Sequence, residues 1–192
     1  MLKFVLFCIA GIMLITGIWS LRSLSGDEKK LPRPVESVEL SSYVGKWYEI
    51  ARKPNEFETD CWGDVAVNYT LRDDGKIGVL NECRKDTPDG KIKFARGKAR
   101  VVDKKTNSQL QVTFAPGFLD FLPSVWGDYW ILELDNDYRF AVVGDPERKY
   151  LWILSRKTEM DEETYRALLQ RIDAQGYNVA EVIKTRHTRE VK

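Results

Sequence analysis

The chain has 192 residues, of which 43% are hydrophobic, and this is enough for one domain with a substantial core and short appendages. Its 30 Lys and Arg residues nearly balance its 29 Asp and Glu residues, and the formal net charge is +1. This balance gives no support to nucleic-acid binding, which favours a strongly basic face, and it most simply describes a solvated surface of mixed charge.

The first 25 residues differ in composition from the rest of the chain. After Lys3, an apolar run extends from Phe4 to Leu21 and is broken only by small or weakly polar residues. This pattern predicts a secretory leader that is cleaved after Ser20 or Ser25. The run, roughly 18 residues long, is also long enough to remain as a membrane anchor. Both fates export the domain, and residues 26–37 are then predicted to form a polar linker punctuated by prolines.

Apolar and polar residues alternate with a period of two through the middle of the chain, and this predicts β-strands. Turn sequences such as Asp73-Asp74-Gly75 separate the strands. Eight strands are predicted, at residues 46–52, 64–71, 76–84, 91–102, 109–114, 127–134, 138–143 and 149–155. Eight antiparallel strands linked by hairpins favour an up-and-down barrel without free edges, although Greek-key sandwiches use similar numbers of strands.

Two cysteines remain when Cys8 is assigned to the leader, and export permits a disulfide between them. A bond between Cys61 and Cys83 would stabilise the domain by roughly 3 kcal/mol on the chain-entropy estimate. The register of the predicted hairpin, however, places Cys83 opposite Val65 rather than Cys61. The bond therefore requires a β-bulge or a loop that folds Cys61 back, and two free thiols are the alternative.

One helix is predicted after the last barrel strand. Asp161 is a suitable N-cap and Gly176 a suitable stop. One apolar stripe indicates that the helix packs flat on the outside of the barrel, and it comprises Tyr165, Leu168, Leu169 and Ile172. Residues 178–185 then suggest a ninth short strand, and residues 187–192 are expected to form a frayed tail.

Trp47 and Arg156 form the most informative pair in the sequence. Trp47 follows Gly45 near the start of the first strand, and Arg156 ends the last apolar strand about a hundred residues later. A guanidinium in this position can lie across the indole face and seal one end of a barrel. We therefore expect Gly45, Trp47 and Arg156 to have a structural role in closure rather than a role in ligand binding.

Four segments in this order resemble motifs of the lipocalin family, and most of all its bacterial outer-membrane members and apolipoprotein D. They are Gly45–Arg52, Tyr69–Lys76, Leu134–Arg139 and Leu151–Arg156. The resemblance covers about residues 38–186. It implies an all-β fold, an eight-stranded antiparallel up-and-down barrel with one C-terminal α-helix packed outside. It also implies that ligand enters the end opposite to the Trp47 and Arg156 pair.

The ligand-binding wall is predicted from strand alternation and from the resemblance. The expected lining residues are Val65, Val67, Tyr69, Val112, Phe114, Trp126, Trp130, Leu132, Trp152 and Leu154. The alternative is that the aromatic residues simply fill a core. Small residues at 95, 97 and 99 on one face of a strand favour an open space, in which Tyr69 would supply a polar group to a lipid with a long acyl chain. The apolar connection at residues 115–123 is expected either to rim the mouth and touch a membrane or to pack on itself.

The residue inventory argues against catalysis. His187, the only histidine, lies in the predicted tail, which excludes a Ser-His-Asp or Cys-His site within the barrel. The sequence has no zinc-ligand spacing or Gly-rich phosphate loop, so we expect no metal and no cofactor.

The resemblance therefore implies non-enzymatic binding, storage or transport of a hydrophobic ligand, namely fatty acids or lysophospholipids, for membrane maintenance. The expected location is the cell envelope, periplasmic or associated with the outer membrane, with secretion or an uncleaved anchor as alternatives. An envelope interaction protein that acts through its loops with a filled barrel is the main alternative function, and an enzyme acting on a lipid is a weaker one. A homodimer is left open.

Overall fold

The computed structural model describes residues 30–188. The predicted leader, residues 26–29 of the predicted linker and residues 189–192 of the predicted tail lie outside the described residues. Within them, eight strands form the barrel: β1 Gly45–Arg52, β2 Cys61–Leu71, β3 Ile77–Lys85, β4 Ile92–Val101, β5 Gln109–Thr113, β6 Gly127–Leu134, β7 Phe140–Gly144 and β8 Leu151–Ser155.

The eight strands close on themselves. Each strand from β1 to β8 pairs antiparallel with the next, and β8 pairs back with β1. In register, Trp47 lies opposite Val67 on β2, while Tyr48 lies opposite Ser155 on β8. Closure leaves the eight strands without a free edge, as an up-and-down barrel requires. The predicted barrel is confirmed, and the sandwich alternative is wrong.

Strand β1 has a different neighbour along each half. Its first half pairs with β2 from Gly45 to Tyr48, and its second half pairs with the short strand β9, Ile183–Lys184. The β1–β8 register shifts between Glu49 and Ala51, which marks a bulge where β1 leaves β2. Residues 183–188 therefore occupy the seam between β1 and β2.

The segment after β9 differs from the predicted frayed tail. The Nε2 atom of His187 lies 2.7 Å from the Glu49 carbonyl oxygen, and the Thr188 backbone N–H donates to Asp64 at 2.7 Å. A Cβ at Gly63 would overlap the backbone carbonyl of Arg186, so only glycine admits this close approach. Residues up to Thr188 thus belong to the packed domain because they supply the hydrogen bonds that β2 cannot give to this part of β1.

Two helices accompany the barrel. Helix α1, Leu40–Tyr43, precedes β1, and helix α2, Glu162–Ala174, follows β8. Asp161 caps α2 by accepting from the Thr164 N–H at 2.8 Å. The buried face of α2 packs against outward-facing barrel residues in a second hydrophobic core, whose members include Leu132, Val142, Leu151, Ile153, Tyr165, Leu168 and Ile172. The predicted external helix is confirmed.

A disulfide joins Cys61 to Cys83, with their Cα atoms 5.7 Å apart. The β2–β3 register follows the predicted hairpin from Leu71 to Ala66 and then shifts twice before Cys61. These bulges bring Cys61 to a position opposite Lys85 and within reach of Cys83. Of the alternatives left open by the sequence, the bulge is the one adopted.

Candidate functional site

One end of the barrel is closed by Trp47 and Arg156. Trp47 is fully buried, and the Arg156 guanidinium carbon lies 3.7 Å from the centroid of its ring. The guanidinium also donates to backbone carbonyls of the flanking segments, namely those of Ser42, Tyr43, Val44, Lys46 and Tyr138. Gly45, at φ +96°, lets the chain turn beside the Arg156 side chain into β1. The predicted closure is the one that the structure adopts.

The opposite end of the barrel is formed by alternate connections. Because neighbouring strands are antiparallel, the connections after β1, β3, β5 and β7 lie at the end away from the Trp47 pair. These are residues 53–60, 86–91, 114–126 and 145–150. Any molecule that enters the barrel from this end meets these four connections first.

The barrel contains a cavity of about 440 Å³, which is within the range of small-molecule sites. Its central wall is apolar and comes from six strands, with Val67, Ile77, Val79, Ala99, Leu110, Val143 and Leu154 among the lining residues. These residues alternate with outward-facing ones along each strand, as the pleat requires. The barrel is therefore not filled by its own side chains.

Seven of the ten predicted lining residues lie on the cavity wall, namely Val65, Val67, Tyr69, Val112, Phe114, Trp152 and Leu154. Trp130 and Leu132 lie on the other face of β6 and pack in the core beneath α2. Tyr129 and Ile131 take the inward positions instead. The inward parity assigned to β6 is wrong because both faces of this strand are buried and apolar, which removes the alternation that identifies an inner face.

Trp126 is the third predicted residue that does not line the cavity. Its Nε1 donates to the Asp120 carbonyl at 2.9 Å, and the Arg100 guanidinium lies 4.1 Å from its ring centroid. Arg100 is on the outer face of β4, since its neighbour Ala99 lines the cavity. Trp126 therefore fixes the connection between β5 and β6 to the outside of the wall.

The small residues of β4 act in two ways. Ala95 and Ala99 line the cavity and leave space in it, as predicted from the sequence. Gly97 does not, because a Cβ there would overlap the Phe114 ring and the Thr113 carbonyl. Gly97 thus makes room for the Phe114 side chain rather than for a ligand.

Three tyrosine hydroxyls form the polar floor of the cavity near the closed end. The Tyr129 hydroxyl lies 2.9 Å from that of Tyr43 and 2.7 Å from that of Tyr69. Tyr43 stacks in turn against Trp47, with ring centroids 5.2 Å apart. Burial raises the pKa of both Tyr43 and Tyr129 well above the usual value, so the floor stays neutral at physiological pH. Of the three, only Tyr69 was predicted from the sequence, because the inward assignment of Trp130 turned Tyr129 outward and Tyr43 precedes the first strand.

Glu49 is a buried carboxyl group on the cavity wall, two residues beyond Trp47. It is 2% exposed and accepts hydrogen bonds from Arg52 Nη1 at 2.8 Å and from the Thr185 hydroxyl. Burial, and after it repulsion from the Glu58 carboxylate, raises the pKa of Glu49 to about 8. Glu49 therefore keeps its proton through most of the neutral range. Glu49 lies two residues after Trp47 on β1 and so faces the same side of the strand, a pattern from which its inward position could have been predicted.

Aromatic rings form a row along the wall toward the open end. Ring centroids are 5.5 Å apart between Phe57 and Tyr150 and 5.8 Å apart between Tyr150 and Trp152. Their polar atoms are satisfied by carboxylates, since Trp152 Nε1 donates to Glu58 at 2.8 Å and the Tyr150 hydroxyl donates to Glu56 at 2.6 Å. The row presents ring faces and edges to the cavity without unpaired polar groups. Trp152 was predicted from the sequence, but Phe57 and Tyr150 were not. Phe57 lies in a connection without a strand pattern, whereas Tyr150 lies in the predicted strand at residues 149–155 and shares the parity of Trp152.

The connection between β5 and β6 exposes two phenylalanines. It forms short 3-10 turns at Gly117–Leu119 and Pro123–Val125, and Asp120 between them is ion-paired with Lys98 at 2.6 Å. Phe118 and Phe121 are 75% and 76% exposed. The segment is thus held by its polar residues while its largest apolar groups face outward.

Other kinds of site find little support between Lys30 and Thr188. No group of three or more His, Cys, Asp or Glu residues in that range is placed to hold a metal ion. No helix in the same range is long and apolar enough to cross a bilayer.

Comparison with known proteins gives consistent matches over this domain. The family model described as a lipocalin-like domain matches residues 38–187. Temperature-induced lipocalin-1 of Arabidopsis thaliana is 42% identical over 160 residues, which cover 82% of this chain and 84% of the relative. Outer membrane lipoprotein Blc of Escherichia coli K12 is 35% identical over 150 residues, with coverage of 78% and 79%. The structure of insecticyanin from the tobacco hornworm Manduca sexta superposes with a TM-score of 0.63 at 21% identity, covering 82% of this chain and 85% of that one, and this likeness shows the fold.

Proposed function

The chain belongs to the lipocalin family, whose members generally bind small hydrophobic molecules, and on this basis we propose that it is a non-enzymatic carrier that holds a lipid in its barrel. The proposed ligands are fatty acids or lysophospholipids, which the protein binds, stores or transports in the cell envelope for membrane maintenance. The proposed binding residues are the seven predicted ones that line the cavity, together with Tyr129.

The observation that carries this proposal is the cavity of about 440 Å³ with a largely apolar wall. An acyl chain transferred from water to such a wall gains about 0.8 kcal/mol for each buried CH₂ group. A preformed space also spares the protein the cost of opening one on binding. The cavity argues against the alternative of an interaction protein with a filled barrel.

The charge distribution supports an amphiphile whose polar end remains near the open end. The central wall and the Trp47 end are apolar or neutral, whereas Glu58 and Lys93 lie on the cavity wall near the connections of the open end. Lys93 is ion-paired with Asp60 at 2.7 Å. A charged headgroup buried at the Trp47 end would lose its hydration without a compensating partner.

A membrane surface is proposed as the place of lipid exchange. Phe118 and Phe121 are exposed on the connection between β5 and β6, and exposed rings of this kind can insert among lipid headgroups. Export and association with the outer membrane are proposed from the predicted leader and from the similarity to outer membrane lipoprotein Blc. Serine at both Phe118 and Phe121 should reduce cosedimentation with phospholipid vesicles while leaving binding of dispersed palmitate unchanged. Equal vesicle binding by the two proteins would remove this part of the proposal.

The experiment that tests the carrier function fills the cavity from one wall. Ala95→Phe adds a ring to a side chain that points into the space, whereas Arg96→Phe adds the same ring to the outer face of the same strand. We expect delipidated protein to bind palmitate in a titration of tryptophan fluorescence, Ala95→Phe to bind at least about tenfold more weakly, and Arg96→Phe to bind like the parent. Absence of binding in the parent, or equal affinities in all three proteins, would contradict the proposal.

A further inference from the structure

The hydrogen-bonding capacity of the cavity floor is not exhausted by the protein itself. The hydroxyls of Tyr43, Tyr129 and Tyr69 form a chain of three with two contacts, at 2.9 and 2.7 Å. Three hydroxyl groups carry three protons, and two contacts use only two of them. Whichever way the bonds run, one O–H remains as a donor. Within residues 30–188 these three hydroxyls form no other hydrogen bond.

The spare donor faces an apolar space. All three tyrosines line the cavity, and the wall above them consists of aliphatic side chains such as Val79, Leu110 and Leu154. A donor left unpaired in such surroundings loses the hydrogen bonds that it makes to water in the unfolded chain. The floor is therefore equipped to receive a hydrogen-bond acceptor from a bound molecule.

The acceptor that fits this floor is uncharged. Lys93 is the only cationic residue on the described cavity wall, and its ammonium is already paired with Asp60. Arg156 lies close to Tyr43, but its N–H groups are directed at backbone carbonyls and its face is covered by Trp47. A carboxylate or phosphate at the floor would therefore be buried without a counter-charge, at a cost that one hydroxyl donor does not offset.

We propose that the Tyr43, Tyr129 and Tyr69 hydroxyls bind a neutral oxygen acceptor, a hydroxyl or a carbonyl, at the buried end of an elongated apolar ligand. This inference rests on the proposed function, because it requires a ligand inside the barrel, and it specifies a chemical group that such a ligand carries far from its headgroup. Acyl chains oxygenated at or next to their terminal carbon have this form, and their carboxylate end remains at the open end of the cavity.

The wild-type protein itself provides the first test. Palmitate, ω-hydroxypalmitate and the palmitate analogue with a ketone at the penultimate carbon differ only at the buried end, and the corresponding stearates extend the comparison to a second chain length. A purely apolar floor would bind the oxygenated chains about tenfold or more weakly than the parent chain, because their oxygen loses its hydration. The proposal predicts that, for at least one chain length, an oxygenated chain binds within about threefold of the parent or more tightly. The hydroxyl and ketone arms show whether the floor takes both acceptors or one.

A triple variant tests the residues. Phenylalanine at positions 43, 69 and 129 removes the whole network at nearly constant shape and leaves no donor of the group unpaired, so the barrel is expected to fold. In this variant the preference should shift by about tenfold toward the unsubstituted chain. Tyr177→Phe is the matched control, since its buried hydroxyl donates to the Asp145 carbonyl in the core beneath α2 and not in the cavity. The control should leave the ratio of affinities unchanged.

The outcomes separate the inference from the function on which it rests. If wild-type protein binds none of the fatty acids, the carrier function is contradicted. If it binds palmitate and stearate but all oxygenated chains are about tenfold weaker, the carrier function stands and the floor site is wrong. The floor site is also wrong if oxygenated chains bind well and the triple variant retains that ratio. The wild-type comparison decides the matter even if the triple variant does not fold.

Discussion

Replacing Arg156 with alanine separates barrel closure from ligand binding. The substitution removes the cation–π contact with Trp47 at 3.7 Å, which is worth about 1 kcal/mol. It also removes hydrogen bonds to the part-buried carbonyls of Tyr43, Val44 and Tyr138, for which we estimate about 2 kcal/mol in total. Bonds to exposed carbonyls are replaced by water and add little. The free energy of unfolding should therefore fall by about 3 kcal/mol.

Urea denaturation measures this loss, and a parallel palmitate titration below the unfolding transition measures affinity. Because Arg156 lies at the end opposite to the entry, the dissociation constant of the folded protein should stay within about threefold. Arg139→Ala is the matched control, since Arg139 lies near the same end but is 69% exposed and pairs with Asp135. A surface pair of this kind contributes less than about 1 kcal/mol. A loss for Arg156→Ala no larger than that of the control would refute the closure argument. So would a large loss of affinity without a loss of stability.

Three further predictions concern the cysteines, the entry and the buried carboxyl group. Serine at both Cys61 and Cys83, which are 22 positions apart, should lower the unfolding free energy by about 3 kcal/mol, and reduced wild-type protein should match the variant in urea. Trp152→Ala should weaken palmitate binding about tenfold in calorimetry while the urea midpoint changes little; unchanged affinity would contradict its place on the wall. In the folded protein the pKa of Glu49 is about 8, whereas its ordinary value is 4.5. Between these two pH values unfolding releases the Glu49 proton, so the free energy of unfolding falls as the pH rises from 4.5 to 8. This decline is on the order of a few kcal/mol, and Glu49→Gln should flatten it when the free energy of unfolding is measured by urea denaturation from pH 5 to 8. An equally steep decline in the variant would mean that other groups cause the pH dependence.

The closed end of the barrel could be predicted from the sequence because its parts are local and chemically distinctive. A Gly-x-Trp at the start of the first strand and an arginine at the end of the last one specify a contact that few other residue types can make. The external helix could be predicted equally well, since Asp161 and Gly176 mark the two ends of a segment with a single apolar stripe.

The inner wall was less predictable wherever a strand is covered on both sides. Strand β6 carries Trp130 and Leu132 on one face and Tyr129 and Ile131 on the other, and hydrophobicity alone does not tell the cavity from the helix. Long-range packing was also beyond the sequence. His187 and Thr185 dock beside Glu49 because of the bulge in β1, and no residue pattern in that strand predicts this bulge.

Native mass spectrometry of the domain from residue 26 onward tests the central claim most directly. Protein purified from its native cells is expected to carry one apolar molecule per chain. Delipidated protein should take up one palmitate, and Ala95→Phe should do so much less than Arg96→Phe. Protein that is empty when isolated and gains no mass with palmitate or a lysophospholipid would contradict the carrier function.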